Sequence, residues 1–221
     1  MNPSLINKLF IIDGTKFPPI CIFKGKRLSQ GEQIPSGIIV WFQENAWMNA
    51  DLMKKYIDYL NDIIRSNGRS RAPMMMVYDS FKGHLEESVK EKFRDSGFYL
   101  AVIPGGLTSL CQPLDTAINK PFKDNLRKEW HLWMASGGAG LTVKGNLKRA
   151  KLSDVCKWVK CSWENISNEV IIQSFKTCEI SNEIIDENSD KENEEDFEIV
   201  DDSNSEEDGD ASIDMKFPQA R

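Results

Sequence analysis

MMMVYDSFKGHLEESVKEKFRDSGFYLAVIPGGLTSLCQPLDTAINKPFKDNLRKEW, residues 74–130, decides the fold. An apolar run, Met74 to Tyr78, ends on Asp79. From about His84 to Ser96 the apolar residues Leu85, Val89 and Phe93 recur at four-residue spacing, one face of a helix. Gly97 is a natural helix stop. A second apolar run, Phe98 to Ile103, ends at Pro104-Gly105-Gly106. Strand, helix, strand in this order predicts two parallel strands joined by a right-handed crossover. Asp79 then lies at the carboxyl end of a buried strand, where open α/β sheets build their sites. Asp115 follows a loop and opens a helix over Thr116 to Met134, with Pro121 tolerated in its first turn.

Asp79 and Asp115 are 36 positions apart, one at a strand end and one at a helix start. Two such carboxylates can meet in space and hold divalent metals, which in two-ion sites sit about 3.5–4 Å apart for in-line phosphoryl transfer. Mg²⁺ suits oxygen ligands of this kind. The plainer alternative is that each aspartate caps the helix that follows it.

VYDSFKGHL, followed by VIPGGLTSLCQPLDTAINKPFK, resembles the DDE superfamily endonuclease domain of pogo, Tigger and jerky-type transposases. The resemblance runs from about Asn7 to Ser181 and takes in IIDGTKFPPICIFKGKR and GIIVWFQENAWMN. It implies a ribonuclease H-like α/β fold, a mixed sheet flanked by helices, and an acidic triad that binds two Mg²⁺ or Mn²⁺ ions. By resemblance Asp79 is the second triad acid and Asp115 the third. The family's first acid lies on a strand before the DGTK hairpin. Here only twelve residues precede Asp13, and none is acidic. The first strand and its acid are therefore expected to be missing, and metal binding to be weak or lost.

Two regions of opposite charge follow from composition. Between Glu179 and Asp210 sixteen acidic residues face one lysine, a net of −15. Residues 1–178 carry 25 Lys and Arg against 17 Asp and Glu, a net of +8. A basic body fits a polyanion, because lysines and arginines release counterions from phosphates. The acidic segment has too little apolar surface to repay its ordering entropy. The expected division is a partial DDE domain over 1–180 and a disordered acidic tail over 181–221. No apolar run approaches the roughly 18 residues of a membrane span. The N-terminal apolar stretch is too short for a secretory signal. Five scattered cysteines fit reduced thiols inside a cell. Cys156 and Cys161 have no second pair at zinc-finger spacing. A nuclear location follows from the resemblance.

Elsewhere the sequence predicts local structure. Leu5 to Ile12 reads as a strand and Asp13-Gly14 as a hairpin turn. Pro18-Pro19 delays the return strand to Ile20–Phe23. Gly37 to Phe42 is a third strand, and the three are expected as an antiparallel meander. Asn49 caps a helix whose Leu52, Met53, Tyr56, Ile57, Leu60, Ile63 and Ile64 form an apolar stripe. Trp41 and Trp47 read as packing anchors. Leu152 to Trp163 and Asn168 to Phe175 read as helices.

The candidate nucleic-acid contacts are Lys24, Lys26 and Arg27 in a polar loop, and Lys120, Lys123, Arg127 and Lys128 on the helix after Asp115. The loop can touch a phosphate backbone or simply keep a sheet edge soluble. The helical set can form a phosphate-facing stripe or a solvated face paired with Asp124 and Glu129. Leu141 to Lys151 adds Lys144, Lys148, Arg149 and Lys151. His84 and His131 read as structural. Three functions are compatible with these features: an inactive DDE domain that binds DNA, an active endonuclease completed by an acid from elsewhere, and an interaction protein whose tail masks its body. The missing first acid favours the first, with DNA as partner and neither membrane nor small-molecule substrate.

Overall fold

The computed structural model describes residues 3–66, 74–80, 86–138 and 140–180. The turn at Asn67–Arg71, the stretch around His84 and Leu85, and the acidic tail fall outside them. The architecture is mixed α/β. Strands β1 (Pro3–Asn7), β2 (Ile20–Lys24) and β3 (Ile39–Gln43) form one sheet. Strands β4 (Met74–Asp79) and β5 (Phe98–Ile103) form a second. Among the described residues the helices are α1 (Ala50–Ser66), α2 (Glu87–Asp95), α3 (Thr108–Cys111), α4 (Asn119–Ala135), α5 (Leu152–Glu164) and α6 (Asn168–Thr177).

The Asp13-Gly14 turn forms as expected. Gly14 N–H donates to the Ile11 carbonyl at 2.9 Å, and Thr15 N–H to Asp13 Oδ1 at 2.8 Å. It returns the chain so that β2 runs antiparallel to β1. β3, however, pairs parallel with β2, from Ile20↔Ile39 to Lys24↔Gln43. The expected antiparallel meander is thus corrected. The connection from Gly25 to Ile38 is long enough to carry the chain back to the start of β2 before it pairs, which a tight hairpin cannot do.

β2 is buried on both faces. Ile20 and Ile22 point one way, Cys21 and Phe23 the other, and none is more than 1% exposed. Cys21 and Phe23 pack with Ile118, Phe122 and Leu126 of the α4 region and with Val155, Val159 and Trp163 of α5. Ile20 and Ile22 join Trp41, Tyr56, Ile57 and Leu60, and also Val89, Phe93 and Phe98. The second cluster spans both sheets, so the two are one packed body.

α1 behaves as its period predicts. Asn49 Oδ1 accepts from Leu52 N–H at 3.0 Å, and Met53, Tyr56, Ile57 and Leu60 are buried. Trp41 is buried, but Trp47 is 44% exposed and is not a core anchor. The turn around Ala46, whose φ is 59°, leaves the Trp47 ring at the surface and turns Ala46 and Met48 inward.

β4 and β5 pair in parallel register, Met74↔Phe98 through Asp79↔Ile103, with α2 as the crossover. β4 is not the centre of a larger sheet: among the described residues β5 is its partner strand. Nor is the Met74–Tyr78 run buried on both sides. Met74 and Met76 pack inward, whereas Met75 is 59% exposed and Tyr99, opposite it, 70% exposed. Among the described residues helices cover one side of this pair, so a continuous apolar run need not mean two covered faces.

At the other end of the body, Lys16 ties the hairpin to α5. Its ammonium donates to the carbonyls of Trp163 (3.1 Å), Glu164 (3.1 Å) and Ile166 (2.5 Å). They lie in and just beyond the last turn of α5, where the Trp163 carbonyl also accepts from Ile166 N–H at 3.2 Å, and a cation there suits the helix dipole.

Candidate metal and nucleic-acid site

Parallel pairing with β5 sets Asp79 at the carboxyl end of β4, where it is half-buried. Asp115 lies in a π turn, Leu114–Ile118, that leads directly into α4. Single π turns of this kind recur at functional sites. The backbone N–H groups of Asp115 and Thr116 both donate to the Gln112 carbonyl, at 2.9 and 3.1 Å. Asp115 does not cap α4. Its Oδ1 instead accepts from Asn119 Nδ2 at 2.5 Å, one helical turn along.

The two aspartates are close enough for the charge of Asp79 to raise the pKa of Asp115. Asp115 keeps an exposed side chain, yet the surrounding protein desolvates its carboxyl enough to be the main cause of that rise. The Asn119 hydrogen bond and the charges of Lys8 and Lys123 oppose it.

Lys8 is the feature the sequence reading missed. It is only 8% exposed, and its ammonium donates to Asn119 Oδ1 at 2.5 Å while lying 4.4 Å from the centre of the Phe122 ring. A relay thus runs Lys8 to Asn119 to Asp115. Burial is the largest cause that lowers the Lys8 pKa from 10.5 to about 7; Lys123 lowers it further, and Asp115 raises it. The signal was present in the sequence: Ile6, Lys8 and Phe10 alternate, and Ile6 and Phe10 join the core over α5 and α6. A lysine at the inward position of a period-two apolar pattern demands a polar partner inside. Asn119, four residues after Asp115 on a helical turn, was equally legible as its neighbour.

The other predicted residues divide. Lys123 lies within the field of Asp115. Lys120, Arg127 and Lys128 are exposed on α4, and Arg127 pairs with Asp124 at 2.7 Å. Lys24, Lys26 and Arg27 are exposed where β2 ends, and Lys26 pairs with Glu44 at 3.8 Å. None of those three is among the charges that shift Asp115. His131 is exposed and packs edge-on to Trp130 at 4.9 Å.

As a metal site, the arrangement offers two carboxylates of suitable chemistry for one hard divalent ion. Gln112 Oε1, three residues before Asp115, is buried without a hydrogen-bond partner among the described residues. No group of three His, Cys, Asp or Glu side chains able to hold a metal occurs among the described residues. The donor set fits a single ion, and the buried ammonium of Lys8 opposes even that.

No solved structure matches the chain. The human "Pogo transposable element with KRAB domain" is 33% identical over 177 residues, covering 80% of this chain and 29% of that protein. The mouse protein of the same name matches to the same extent. The human "Pogo transposable element with ZNF domain" is 28% identical over 120 residues, or 54% of this chain and 8% of that one. The chain therefore spans under a third of the length of these relatives. The family model described as "DDE superfamily endonuclease" matches residues 11–175, which include Asp79, Asp115, Asn119 and most of the core on both faces of β2. The chain belongs to the DDE superfamily of endonucleases.

Proposed function

We propose that this polypeptide is a transposase-derived, DNA-binding DDE domain that does not cleave DNA by itself. The observation that carries this reading is the composition of the site. The charge of Asp79 reaches Asp115, no group of three metal-ligating side chains occurs among the described residues, and Lys8, protonated below about pH 7, brings a buried positive charge within the field of Asp115. When two Mg²⁺ or Mn²⁺ ions are bound, they activate the attacking oxygen and stabilise the leaving one. Asp79 and Asp115 would hold one such ion weakly. Loss of one group from a catalytic unit costs orders of magnitude that the remaining groups do not restore.

The ribonuclease H-like fold belongs to the same reading. It is supported by the parallel β4–α2–β5 unit and by helices on both faces of β2. The domain is taken as residues 1–180, followed by an acidic tail over 181–221 that competes with DNA for the body. DNA as partner rests on the family, on the net +8 of residues 1–178, and on exposed Lys24, Arg27, Lys120, Lys123 and Lys128. A nuclear location follows from that partner. No helix among the described residues is long and apolar enough to cross a membrane.

The test is nicking of supercoiled plasmid in Mg²⁺ or Mn²⁺, where no conversion above background is expected. Metal-dependent cleavage that disappears in Asp79→Ala and Asp115→Ala would overturn the reading and mean that a further acid completes the site.

A further inference from the structure

Between α4 and α5 the chain makes a small β-hairpin, and its residues from Gly140 to Arg149 are all exposed. Leu141 and Leu147 form an antiparallel bridge. Thr142 N–H donates to the Asn146 carbonyl at 2.7 Å, Lys148 N–H to Gly140 at 3.1 Å and Gly145 N–H to Thr142 at 2.9 Å. Thr142 Oγ1 accepts from Asn146 N–H at 3.1 Å. Gly145, with φ of 78°, makes the turn sterically possible. Among the described residues the hairpin is held by its own hydrogen bonds, and its apolar side chains join neither core cluster.

Its surface is unusual on two counts. Leu141 is 61% exposed, Leu147 41%, and Val143 at the tip 107%. Apolar side chains grouped on a projecting tip mark an interaction site more often than a solvent-facing turn. Beside them stand Lys144, Lys148, Arg149 and Lys151, all exposed, with no acidic residue from Ser136 to Ser153. None of the four has an ion pair among the described residues, whereas Lys26, Lys92 and Arg127 do.

We propose that the 140–148 hairpin is a DNA-docking tongue that enters the major groove of a duplex, with Lys144, Lys148 and Arg149 on the phosphates and Val143 against base edges. This rests on the DNA-binding reading above and adds the element that makes the contact. Four cations without an ion pair among the described residues suit a polyanion; the body of a second copy, net +8 over residues 1–178, would repel them, and the acidic segment from Glu179 to Asp210, net −15, would compete with DNA for them. Dimensions choose the groove. Two strands about 4.8 Å apart, with their side chains, exceed the minor groove's width of about 6 Å but fit the major groove's width of about 12 Å. From the Leu141–Leu147 bridge to Val143 at the tip is two residues, or about 7 Å, which brings the tip most of the way into a groove about 8.5 Å deep. There an exposed valine meets the thymine methyl, an apolar group displayed in the major groove alone.

The experiment is fluorescence anisotropy of the full chain with a labelled 20-base-pair duplex over a range of salt. The variants are Lys144→Ala/Lys148→Ala/Arg149→Ala and Val143→Ser, and the duplexes contain either thymine or uracil. Circular dichroism confirms that each variant keeps the fold. The triple variant is expected to reduce the slope of log K against log salt by about 2 to 3, near one counterion per residue. Val143→Ser is expected to weaken binding about five-fold with no change of slope. Uracil for thymine should weaken the wild type by a similar factor and leave Val143→Ser unaffected. If the wild type binds and the triple variant binds equally with the same slope, the tongue is wrong and the DNA reading stands. Equal binding to both duplexes would remove the major-groove contact of Val143. Hairpin variants that change binding to a structured RNA but not to this duplex would overturn DNA as the occupant. If the wild type does not bind the duplex at low salt, both proposals fall together.

Discussion

Replacing Lys8 by methionine should make the protein more stable at pH 6 and no more stable at pH 9. Lys8 is buried, and its pKa falls from 10.5 to about 7 in the folded state. Below pH 7 the amine is charged in both states, so the folded protein carries the full penalty of a buried cation. Each pH unit between the two values is worth about 1.36 kcal/mol, which puts that penalty at about 5 kcal/mol. As pH rises from about 7 towards 10.5, the native amine has lost its proton while the unfolded chain still holds one. The unfolded state then binds more protons, and stability rises with pH. Between pH 6 and 9 the recovered part is about 3 kcal/mol. Methionine fills similar space without the charge, but it leaves Asn119 Oδ1 without its donor, a loss of about 1–3 kcal/mol. It also forfeits the contact with the Phe122 ring, worth about 0.5–2 kcal/mol. The net expectation for Lys8→Met is a gain of about 2 kcal/mol at pH 6 that vanishes, or turns into a small loss, at pH 9. Urea unfolding followed by tryptophan fluorescence reads this directly, provided the m-value is unchanged. Comparing variant with wild type at each pH cancels the raised pKa values of Cys21 and Tyr56, which both chains share. A difference that stays constant from pH 6 to 9, or a variant less stable than wild type at pH 6, would refute the argument.

Three further expectations concern the hairpin and its anchor. Gly14→Ala should cost about 1–3 kcal/mol in the same assay, because φ is 86° and a Cβ would meet Asn168 Cβ at 3.0 Å and its carbonyl oxygen at 3.1 Å; a neutral result would mean that the turn gives up its positive φ and that α6 moves aside. Lys16→Met should lower stability by about 1–3 kcal/mol, since it leaves the Trp163, Glu164 and Ile166 carbonyls without their shared donor. Trp163→Ala should be the most damaging, at about 3–5 kcal/mol, because it opens a cavity and removes the indole N–H bond of 2.8 Å to the Phe17 carbonyl. Thermal unfolding that ranked Trp163→Ala as milder than Gly14→Ala would contradict the packing described for α5.

Much of this chain was legible because much of it is local. The Asp13-Gly14 turn, the Asn49 cap and the stripe from Met53 to Leu60 each depend on residues within one or two turns of each other, and their spacing declares them; the β4–α2–β5 unit pairs Met74 with Phe98, 24 residues on, and declares itself by its strand–helix–strand order. The motifs around Asp79 and Asp115 announced the family, which the match over residues 11–175 shows. The tertiary structure decided what depends on pairing at a distance. Whether β3 joins β2 parallel or antiparallel rests on the path of the intervening loop, about which side-chain periodicity says nothing. Whether an apolar run is covered on both faces depends on which helices reach it, and so Met75 and Tyr99 are exposed. Lys8 shows the limit most sharply. Its sequence neighbours mark it as pointing inward, but its partner Asn119 lies 111 positions away. A buried charge is tolerated only where such a partner is delivered, and that delivery is a property of the folded chain as a whole.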